Sequence, residues 1–258
     1  MPTQAWLRQA FAHGYDSGDI LRTEPDQVRA GEERAIGGSY HDVFQQAIVP
    51  FVSPESTVLE LGPGRGSWTR AILTLVIRGT VHTVDFLDVV PWLEPARYDG
   101  RLVCHRSRDN SFDAVADATF DFCFSFGVLC HNNREDIAEI LANSRRKMKA
   151  GGVAIHQYGD WTKLDAEGWE RSGMPAAFKD RPDDEIWWPR NTAAAMTALA
   201  EETGWTVVTP DLQLLRRDAL IVLRAGSSSE AGVTDQIVST GEPASTWPSS
   251  GRPSSSTS

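Results

Sequence analysis

Long hydrophobic runs, cysteine pairs and an excess of positive charge are all missing from this chain of 258 residues. No apolar stretch approaches the roughly 18 residues that a membrane-spanning helix requires. The start, Met1-Pro2-Thr3-Gln4, lacks the basic residues and apolar run of a secretion signal, so we expect a cytoplasmic protein. The net charge of −10 disfavours nucleic acid as a partner, because binding a duplex requires a basic face. We therefore expect neither a membrane nor a nucleic acid as partner.

Cysteine is scarce as well. The three cysteines, Cys104, Cys123 and Cys130, form no Cys-x-x-Cys pair. A disulfide framework or a structural zinc site needs a paired set of thiols, so we expect neither. No other cluster of ligand residues stands out, and the sequence predicts no metal site. Cys104 and Cys123 lie in apparent strands, where a small core side chain is the ordinary interpretation.

Short apolar runs and amphipathic segments alternate from residue 56 onward. The strand-like runs are 57–61, 80–85, 101–106, 120–126, 152–158, 205–209 and 218–224. Helical spacing is clear at about 133–148, where Asn132 and Glu135 form a capping pair, and at about 192–203. This alternation predicts a Rossmann-like α/β fold with a doubly wound, mostly parallel sheet and a late antiparallel strand.

The composition divides the chain into three parts. Residues 1–55 show helical patterning without a strand signature, which predicts a helical N-terminal cap. Residues 56–225 carry the alternating core, including a tryptophan-rich lid at 159–190. From Gly226 the chain is rich in Ser, Gly, Thr and Pro and has too few apolar residues to fold. Residues 226–258 are therefore predicted to be a disordered tail.

The stretch "STVLELGPGRGSWTRAIL" places three glycines between a strand and a helix. The glycines are Gly62, Gly64 and Gly66, and Glu60 precedes them. Such a turn brings the backbone close to a ligand, although glycines also serve strand–helix turns for steric reasons alone. The NAD fingerprint G-x-G-x-x-G would need a glycine at Ser67. Asp85 ends the next strand, where a carboxylate can accept hydrogen bonds from the ribose of NAD or of another adenosyl ligand.

Four segments in order resemble the motifs of the class I S-adenosylmethionine-dependent methyltransferases. They are "VLELGPGRGSWT", "VHTVDFLD", "RDNSFDAVADATFDFCFSFGVLCHN" and "RKMKAGGVAIHQ". The resemblance covers about residues 33–225, with one departure, since Ala150 stands where the family usually has proline in a Lys-Pro-Gly-Gly turn. It implies S-adenosylmethionine as the cofactor and methyl transfer as the reaction.

The resemblance also implies which residues hold the cofactor. The glycine turn would lie under the methionine part, with Glu60 anchoring the turn and the ammonium side. Asp85 would hold the ribose, Asp109 would take the adenine amino group, and the segment 124–127 would close over the sulfonium. The implied set is Glu60, Gly62, Pro63, Gly64, Gly66, Asp85, Asp109, Asn110, Ser125, Phe126 and Gly127.

Three side chains near the expected cofactor site are candidates for a catalytic base. An oxygen acceptor usually needs one, because a neutral hydroxyl is a poor nucleophile, whereas an amine needs less help. His131 follows the fourth strand and is the first choice, His156 lies near the end of the fifth, and Asp160 lies just beyond it. Each also has a structural interpretation: a helix cap, a core histidine and a turn residue.

The lid at 159–190 contains four of the nine tryptophans. Long connections often form binding elements, and tryptophan faces stack on sugars and aromatic rings. Trp161, Trp187 and Trp188, with Tyr40, are therefore candidates for acceptor contacts, although the tryptophans could instead stabilise only the lid. We expect the acceptor to be a hydroxyl of a small molecule, either a sugar or a natural-product scaffold.

Two other functions fit these residues. One is an N-methyltransferase that acts on a small amine or a protein side chain, for which a histidine base matters less. The other is a non-catalytic adenosyl-binding fold that serves as an interaction module. The unbroken glycine motif and the two acids, Asp85 and Asp109, argue against the second alternative.

Removal of residues 226–258 should leave folding and methyl transfer intact, because the apolar pattern of the core ends with the run 220–223. Thermal melting of the full-length and truncated chains measures this. A large fall in melting temperature would show that the tail packs on the domain.

Overall fold

A seven-stranded sheet organises residues 4–226, the part of the chain that the computed structural model describes. The strands are β1 (Thr57–Leu61), β2 (Thr80–Asp85), β3 (Leu102–Arg106), β4 (Phe120–Ser125), β5 (Met148–Gly159), β6 (Trp205–Thr209) and β7 (Asp218–Ala225). Their order is β3-β2-β1-β4-β5-β7-β6. Strands β1 to β5 pair in parallel, whereas β7 is antiparallel to both β5 and β6. The predicted mostly parallel α/β sheet with a late antiparallel strand is confirmed.

Eight helices connect and flank these strands in the described residues. They are α1 (Gln4–Ala10), α2 (Gln27–Ile36), α3 (Tyr40–Val43), α4 (Ser67–Leu75), α5 (Val90–Leu93), α6 (Arg134–Lys147), α7 (Trp161–Glu167) and α8 (Ala193–Glu202). None of those helices is long and apolar enough to cross a membrane. Helix α6 starts one residue later than predicted, because Asn133, not Asn132, accepts the capping hydrogen bond from the Asp136 amide.

The two faces of the sheet are covered by different helices. Phe122 and Phe124 of β4 point to a cluster that includes Trp68 of α4 and residues of the N-terminal helices. Cys123, between them, belongs to the opposite cluster with apolar residues of α6 and α8. A third cluster joins Cys130 to buried residues of the lid, such as Trp169. Burial of both faces explains why the central strands are almost continuously apolar.

Residues 4–226 belong to one compact unit, so the helices before β1 share a core with the sheet. The carbonyl of Gly226 accepts a hydrogen bond of 3.0 Å from Arg145. The rest of the predicted disordered tail lies outside the described residues.

Strand order reverses between β1 and β4, and this reversal positions the site. Strands β2 and β3 extend the sheet on one side, whereas β4 and β5 extend it on the other. The carboxyl ends of these parallel strands meet at one edge. Ligands of open α/β sheets bind in the crevice that such a reversal leaves at this edge.

The buried carboxyl group of Glu60 connects β1 to α4 through a hydrogen bond. Glu60 is only 2% exposed, and Thr69 Oγ1 donates a hydrogen bond of 2.6 Å to its Oε2. Burial raises the pKa of Glu60 to about 7, and the hydrogen bond from Thr69 opposes this only in part. The folded chain therefore favours the protonated form of this side chain.

The stability of the chain should depend on pH through Glu60. The pKa of Glu60 is higher in the folded chain than its usual value of 4.5. Its contribution to the free energy of unfolding is therefore complete below about pH 4.5 and is lost as the pH rises to about 7. Glu60→Gln removes the titration and keeps an oxygen for Thr69. Relative to the natural chain, the free energy of unfolding of this variant should rise over that interval by on the order of 2–3 kcal/mol.

Urea unfolding at several pH values measures this difference. Glu24→Gln is the matched control, because Glu24 is exposed and should show no such trend. A difference between Glu60→Gln and the natural chain that does not change with pH would contradict the burial of an ionisable group at this position.

Candidate active site

A cavity of about 500 Å³ lies at the carboxyl edge of the sheet, beside the reversal of strand order. This volume is within the range of roughly 300–1,000 Å³ that small-molecule sites occupy. The walls come from the ends of β1, β2 and β4, from the N-terminal helices, from the lid and from the connection before β7. Most of the lining side chains are aromatic or aliphatic, and a few polar groups are placed among them.

The glycine turn forms the wall directly after β1. Gly62 and Gly64 have φ angles of 65° and 55°, in the left-handed region that glycine adopts without a steric cost. Both line the cavity together with Pro63. A Cβ atom on Gly64 would collide with the carbonyl oxygen of Tyr15, so no larger residue fits. Gly66 is not part of the lining; it precedes the first turn of α4.

The segment 13–17 lies against this turn, a contact that the sequence analysis missed. The Arg65 amide donates a hydrogen bond of 2.7 Å to the Tyr15 carbonyl, and the Arg65 guanidinium donates two to the His13 carbonyl. Ser67 Oγ donates one of 3.0 Å to Asp16 Oδ1. No motif marks this segment, because its partners are about fifty residues away in sequence.

Two of the three acids predicted at the cofactor do not line the cavity. Asp85 does, and its Oδ1 accepts a hydrogen bond of 2.8 Å from the Leu87 amide. Burial raises the pKa of Asp85 to about 6. Contrary to expectation, Asp109 is exposed and outside the cavity, because its Oδ1 turns back to accept from the Ser111 amide. Glu60 is also outside, since it faces α4.

Asn110, the neighbour of Asp109, is buried and lines the cavity. Its Nδ2 lies 3.2 Å from Glu139 Oε2, to which it donates a hydrogen bond. Of these two neighbours in the expected cofactor set, only Asn110 therefore lies in the cavity wall.

The segment after β4 divides between the cavity and the core. Phe126 and Gly127 line the cavity. Ser125 is fully buried away from it, and its Oγ lies 2.8 Å from His156 Nδ1. His156 is completely buried as well, and burial lowers its pKa to about 4. Its position inside the sheet makes His156 a core histidine, contrary to its candidacy as a base.

Asp160 and Trp161 have structural roles at the start of the lid. Asp160 Oδ1 accepts a hydrogen bond of 2.9 Å from the Thr162 amide and thereby caps α7. Trp161 packs edge-on against Trp169 at 4.5 Å, and the Arg190 guanidinium lies 4.6 Å from its ring. Neither Asp160 nor Trp161 lines the cavity, in contrast to the expectation that they serve as a base and an acceptor contact.

His131 is the histidine that the structure places in the cavity wall. It ends a short 3₁₀ turn after β4, and its Nδ1 lies 3.0 Å from the Trp187 carbonyl oxygen. A carbonyl only accepts hydrogen bonds, so Nδ1 carries the proton of the neutral ring and Nε2 keeps its lone pair. Burial lowers the pKa of His131 below its usual value, which keeps the ring neutral near pH 7.

Aromatic rings surround His131. Phe11 lies 5.1 Å away between ring centroids, and Trp188 lies 5.3 Å away. Trp187 and Trp188 both line the cavity, as does Tyr40, which contacts Phe126 at 5.0 Å. Three of the four aromatic residues predicted for the acceptor are therefore in the cavity wall.

Arg217 and Tyr15 also line the cavity, although neither was among the residues predicted from the sequence. Arg217 precedes β7 and forms an ion pair with Asp218 at 2.8 Å. Tyr15 forms a side-chain hydrogen bond with Glu32, and burial raises the pKa of its hydroxyl. The sequence did contain a sign of this role, because Arg217 and Asp218 stand directly before an apolar run. Charged residues at the start of a buried strand are usually paired with each other.

Residues 33–209, more than half of the chain, match a family model described as a methyltransferase domain. A highly reducing polyketide synthase from Penicillium polonicum is 23% identical over 183 residues. The match covers 67% of this chain and 7% of the synthase, so the chain spans a small part of that protein's length.

Solved structures share the fold at low identity. A S-adenosylmethionine-dependent methyltransferase from Aquifex aeolicus is 16% identical, with a TM-score of 0.54 over 82% of this chain and 99% of that chain. The 1,6-didemethyltoxoflavin-N1-methyltransferase of Burkholderia thailandensis, solved with 1,6-didemethyltoxoflavin and S-adenosylhomocysteine, is 18% identical. Its TM-score is 0.56, and the match covers 86% of this chain and 88% of that chain.

The family match extends from α2 through β6 and includes the glycine turn, Asp85 and the His131 turn. Three of the four motifs that suggested the resemblance lie at the ends of β1, β2 and β4, and residues from all three line the cavity. The chain therefore belongs to the methyltransferase-domain family.

Proposed function

We propose that this chain methylates a hydroxyl oxygen of a small molecule and that His131 Nε2 is the general base. The observation that carries the proposal is the geometry of His131, a neutral imidazole in the cavity wall with Nδ1 held by the Trp187 carbonyl. When bound, S-adenosylmethionine supplies a methyl group activated by its positively charged sulfur. The rest of the mechanism depends on how this chain aligns the acceptor and removes its proton.

The described residues fit the cofactor. Gly62 and Gly64 expose backbone to the cavity, and the buried Nε1 of Trp68, which also lines it, has no hydrogen-bond partner among the described residues. We assign the ribose hydroxyls to Asp85 and the adenine end to Asn110. Neighbouring strands are about 4.8 Å apart, so the ends of β2, β1 and β4 span about 10 Å along the edge.

His131 acts where the acceptor side begins, immediately after β4. As the acceptor oxygen forms its bond to the methyl carbon, its proton passes to His131 Nε2. The hydrogen bond from Nδ1 to the Trp187 carbonyl stabilises the resulting imidazolium. The aromatic residues around His131 exclude water from this transfer. A hydroxyl requires such a base more than an amine does, and this favours oxygen over nitrogen as the methylated atom.

Asp85→Ala should weaken the binding of S-adenosylhomocysteine by on the order of 1–3 kcal/mol, because ribose hydroxyls lose a buried acceptor. Isothermal titration calorimetry measures the affinity. Asp109→Ala is the matched control, since that carboxylate is exposed and outside the cavity, and its affinity should not change. Equal affinities for both variants would remove Asp85 from the cofactor site.

His131→Ala should lower kcat by about 10²–10⁴, the usual range for loss of a general base, and leave the affinity for S-adenosylhomocysteine unchanged. The assay uses the best acceptor from a screen of hydroxylated compounds. In the natural chain, kcat/KM should fall as the pH decreases through a value below the usual histidine pKa of about 6.5, because burial lowers the pKa of His131. That acid limb should be absent from the variant.

His41→Ala is the control for this experiment. His41 Nδ1 also contacts a backbone carbonyl, that of Ile20 at 3.2 Å, but His41 does not line the cavity. Its kcat should remain that of the natural chain. Full turnover by His131→Ala would contradict base catalysis by this histidine and would favour an amine acceptor.

A further inference from the structure

Arg217 lies at the opposite end of the cavity from Asp85. The start of β7 shares the carboxyl edge with the end of β5, since Asp218 pairs with Gly159. Four strand spacings separate β2 from β7, about 19 Å at about 4.8 Å each. The residues assigned to the cofactor extend from β2 to β4. Arg217 is therefore beyond His131, on the acceptor side.

The charge of Arg217 is already compensated. Its Nε and Nη2 each donate a hydrogen bond of 2.8 Å to Asp218, which is fully buried and also accepts one from Gln157. Although burial opposes the charge, Asp218 raises the pKa of Arg217 above its usual value. Nη1 remains, with only a long contact of 3.4 Å to the Ser172 carbonyl. Nη1 can therefore donate a hydrogen bond to a ligand while Asp218 remains paired with the guanidinium.

A second polar group beside Arg217 has no partner. Ser172 is 1% exposed and lines the cavity, and its Oγ makes no hydrogen bond within the described residues. A buried hydroxyl without a partner costs about 1–3 kcal/mol, which a ligand atom can offset. The ring of Trp188 lies 4.9 Å from the guanidinium, so flat apolar surface adjoins these polar groups.

We propose that Arg217 and Ser172 bind an uncharged carbonyl oxygen of the acceptor, and that the acceptor is a hydroxylated aromatic carbonyl compound. This proposal rests on the proposed function, because it places the reacting hydroxyl at His131. Strands β4 and β7 are two spacings apart, about 10 Å, so His131 and Arg217 contact opposite ends of the acceptor. The hydroxyl and the carbonyl then stand on opposite sides of a ring.

The charges of the cavity favour a neutral carbonyl over a carboxylate. Asp218 already accepts from Nε and Nη2, one edge of the Arg217 guanidinium, and a carboxylate ligand would place a second acid beside the same cation. Glu32 also lines the cavity and is hydrogen-bonded to Tyr15. Burying an uncompensated charge beside these groups costs more than burying a carbonyl that needs only donors.

Three matched probes test this with protein saturated with S-adenosylhomocysteine. They are 4-hydroxyacetophenone, 4-ethylphenol, which lacks the carbonyl, and 4-hydroxybenzoate, which replaces it with a carboxylate. We expect 4-hydroxyacetophenone to bind at least about tenfold more tightly than either of the others, since it alone satisfies the donors without adding charge. Quenching of tryptophan fluorescence and calorimetry give the affinities without any turnover.

The test variant is Arg217→Met combined with Asp218→Asn, which removes both charges together and leaves none buried alone. Its preference for 4-hydroxyacetophenone over 4-ethylphenol should fall to less than about twofold, with the affinity for 4-ethylphenol unchanged. Ser172→Ala is a milder second variant that keeps the ion pair and should lose several-fold of the same preference. Arg216→Met is the control, because Arg216 is exposed and outside this cavity.

Specific outcomes overturn the proposal. Weaker binding of S-adenosylhomocysteine by the double variant would place Arg217 at the cofactor instead. Tighter binding of 4-hydroxybenzoate, an unchanged preference in both variants, or no binding of 4-hydroxyacetophenone to the natural chain would also contradict it. Loss of the preference supports Arg217 even if no oxygen is methylated, so failure of the proposed function is seen separately.

Discussion

The pairing of β1 with β4 is the constraint on which the site depends. Leu61 is opposite Ser125 in this register, so the turn after β1 and the turn after β4 emerge side by side. A Cβ atom on Gly62 would collide with the Val128 side chain, which shows how closely the two turns approach. Since later elements leave the sheet on opposite sides of this pair, the crevice between them becomes the cavity, and both turns contribute to its wall.

Burial sets the electrostatics of this edge. It raises the pKa values of Glu60 and Asp85 and lowers those of His131 and His156, so each group is driven toward its neutral form. Burial also raises the pKa of Asp218, and the Arg217 guanidinium opposes this through two hydrogen bonds to that carboxyl group. A mostly apolar cavity strengthens each of its hydrogen bonds, because the local dielectric constant is low.

The sequence predicted the ends of the strands to within one residue, because apolar runs between turns have few alternative structures; the exception is β5, which begins four residues earlier than predicted. It did less well wherever the direction of a side chain decided the outcome. His156 lies near the end of β5, and its side chain is buried in the core. His131 follows β4 in a 3₁₀ turn, which places its side chain in the cavity wall. Asp109 and Asn110 differ by one position, and a local turn decides which of them faces the cavity.

The remaining failures concern contacts between distant parts of the chain. Nothing in the lid separates Trp161 from Trp187 before its fold is known, because irregular segments have no period. Tyr15 reaches the cavity through a partner about fifty residues away, Arg65, that no local pattern indicates, whereas the adjacent Asp218 was the available signal for Arg217. The residues that we propose for the acceptor side therefore required the structure, whereas seven of the eleven residues that the resemblance implied for the cofactor line the cavity.

The hydrogen bonds between segment 13–17 and the glycine turn have a consequence for the order of events in a catalytic cycle. Phe11, which contacts His131, is joined to this segment by the bond between the Gly14 amide and the Phe11 carbonyl. A displacement of this segment from the glycine turn would therefore also move Phe11 relative to His131. If the cofactor and the acceptor bind as we propose, departure of the two products would share one displacement of these backbone contacts.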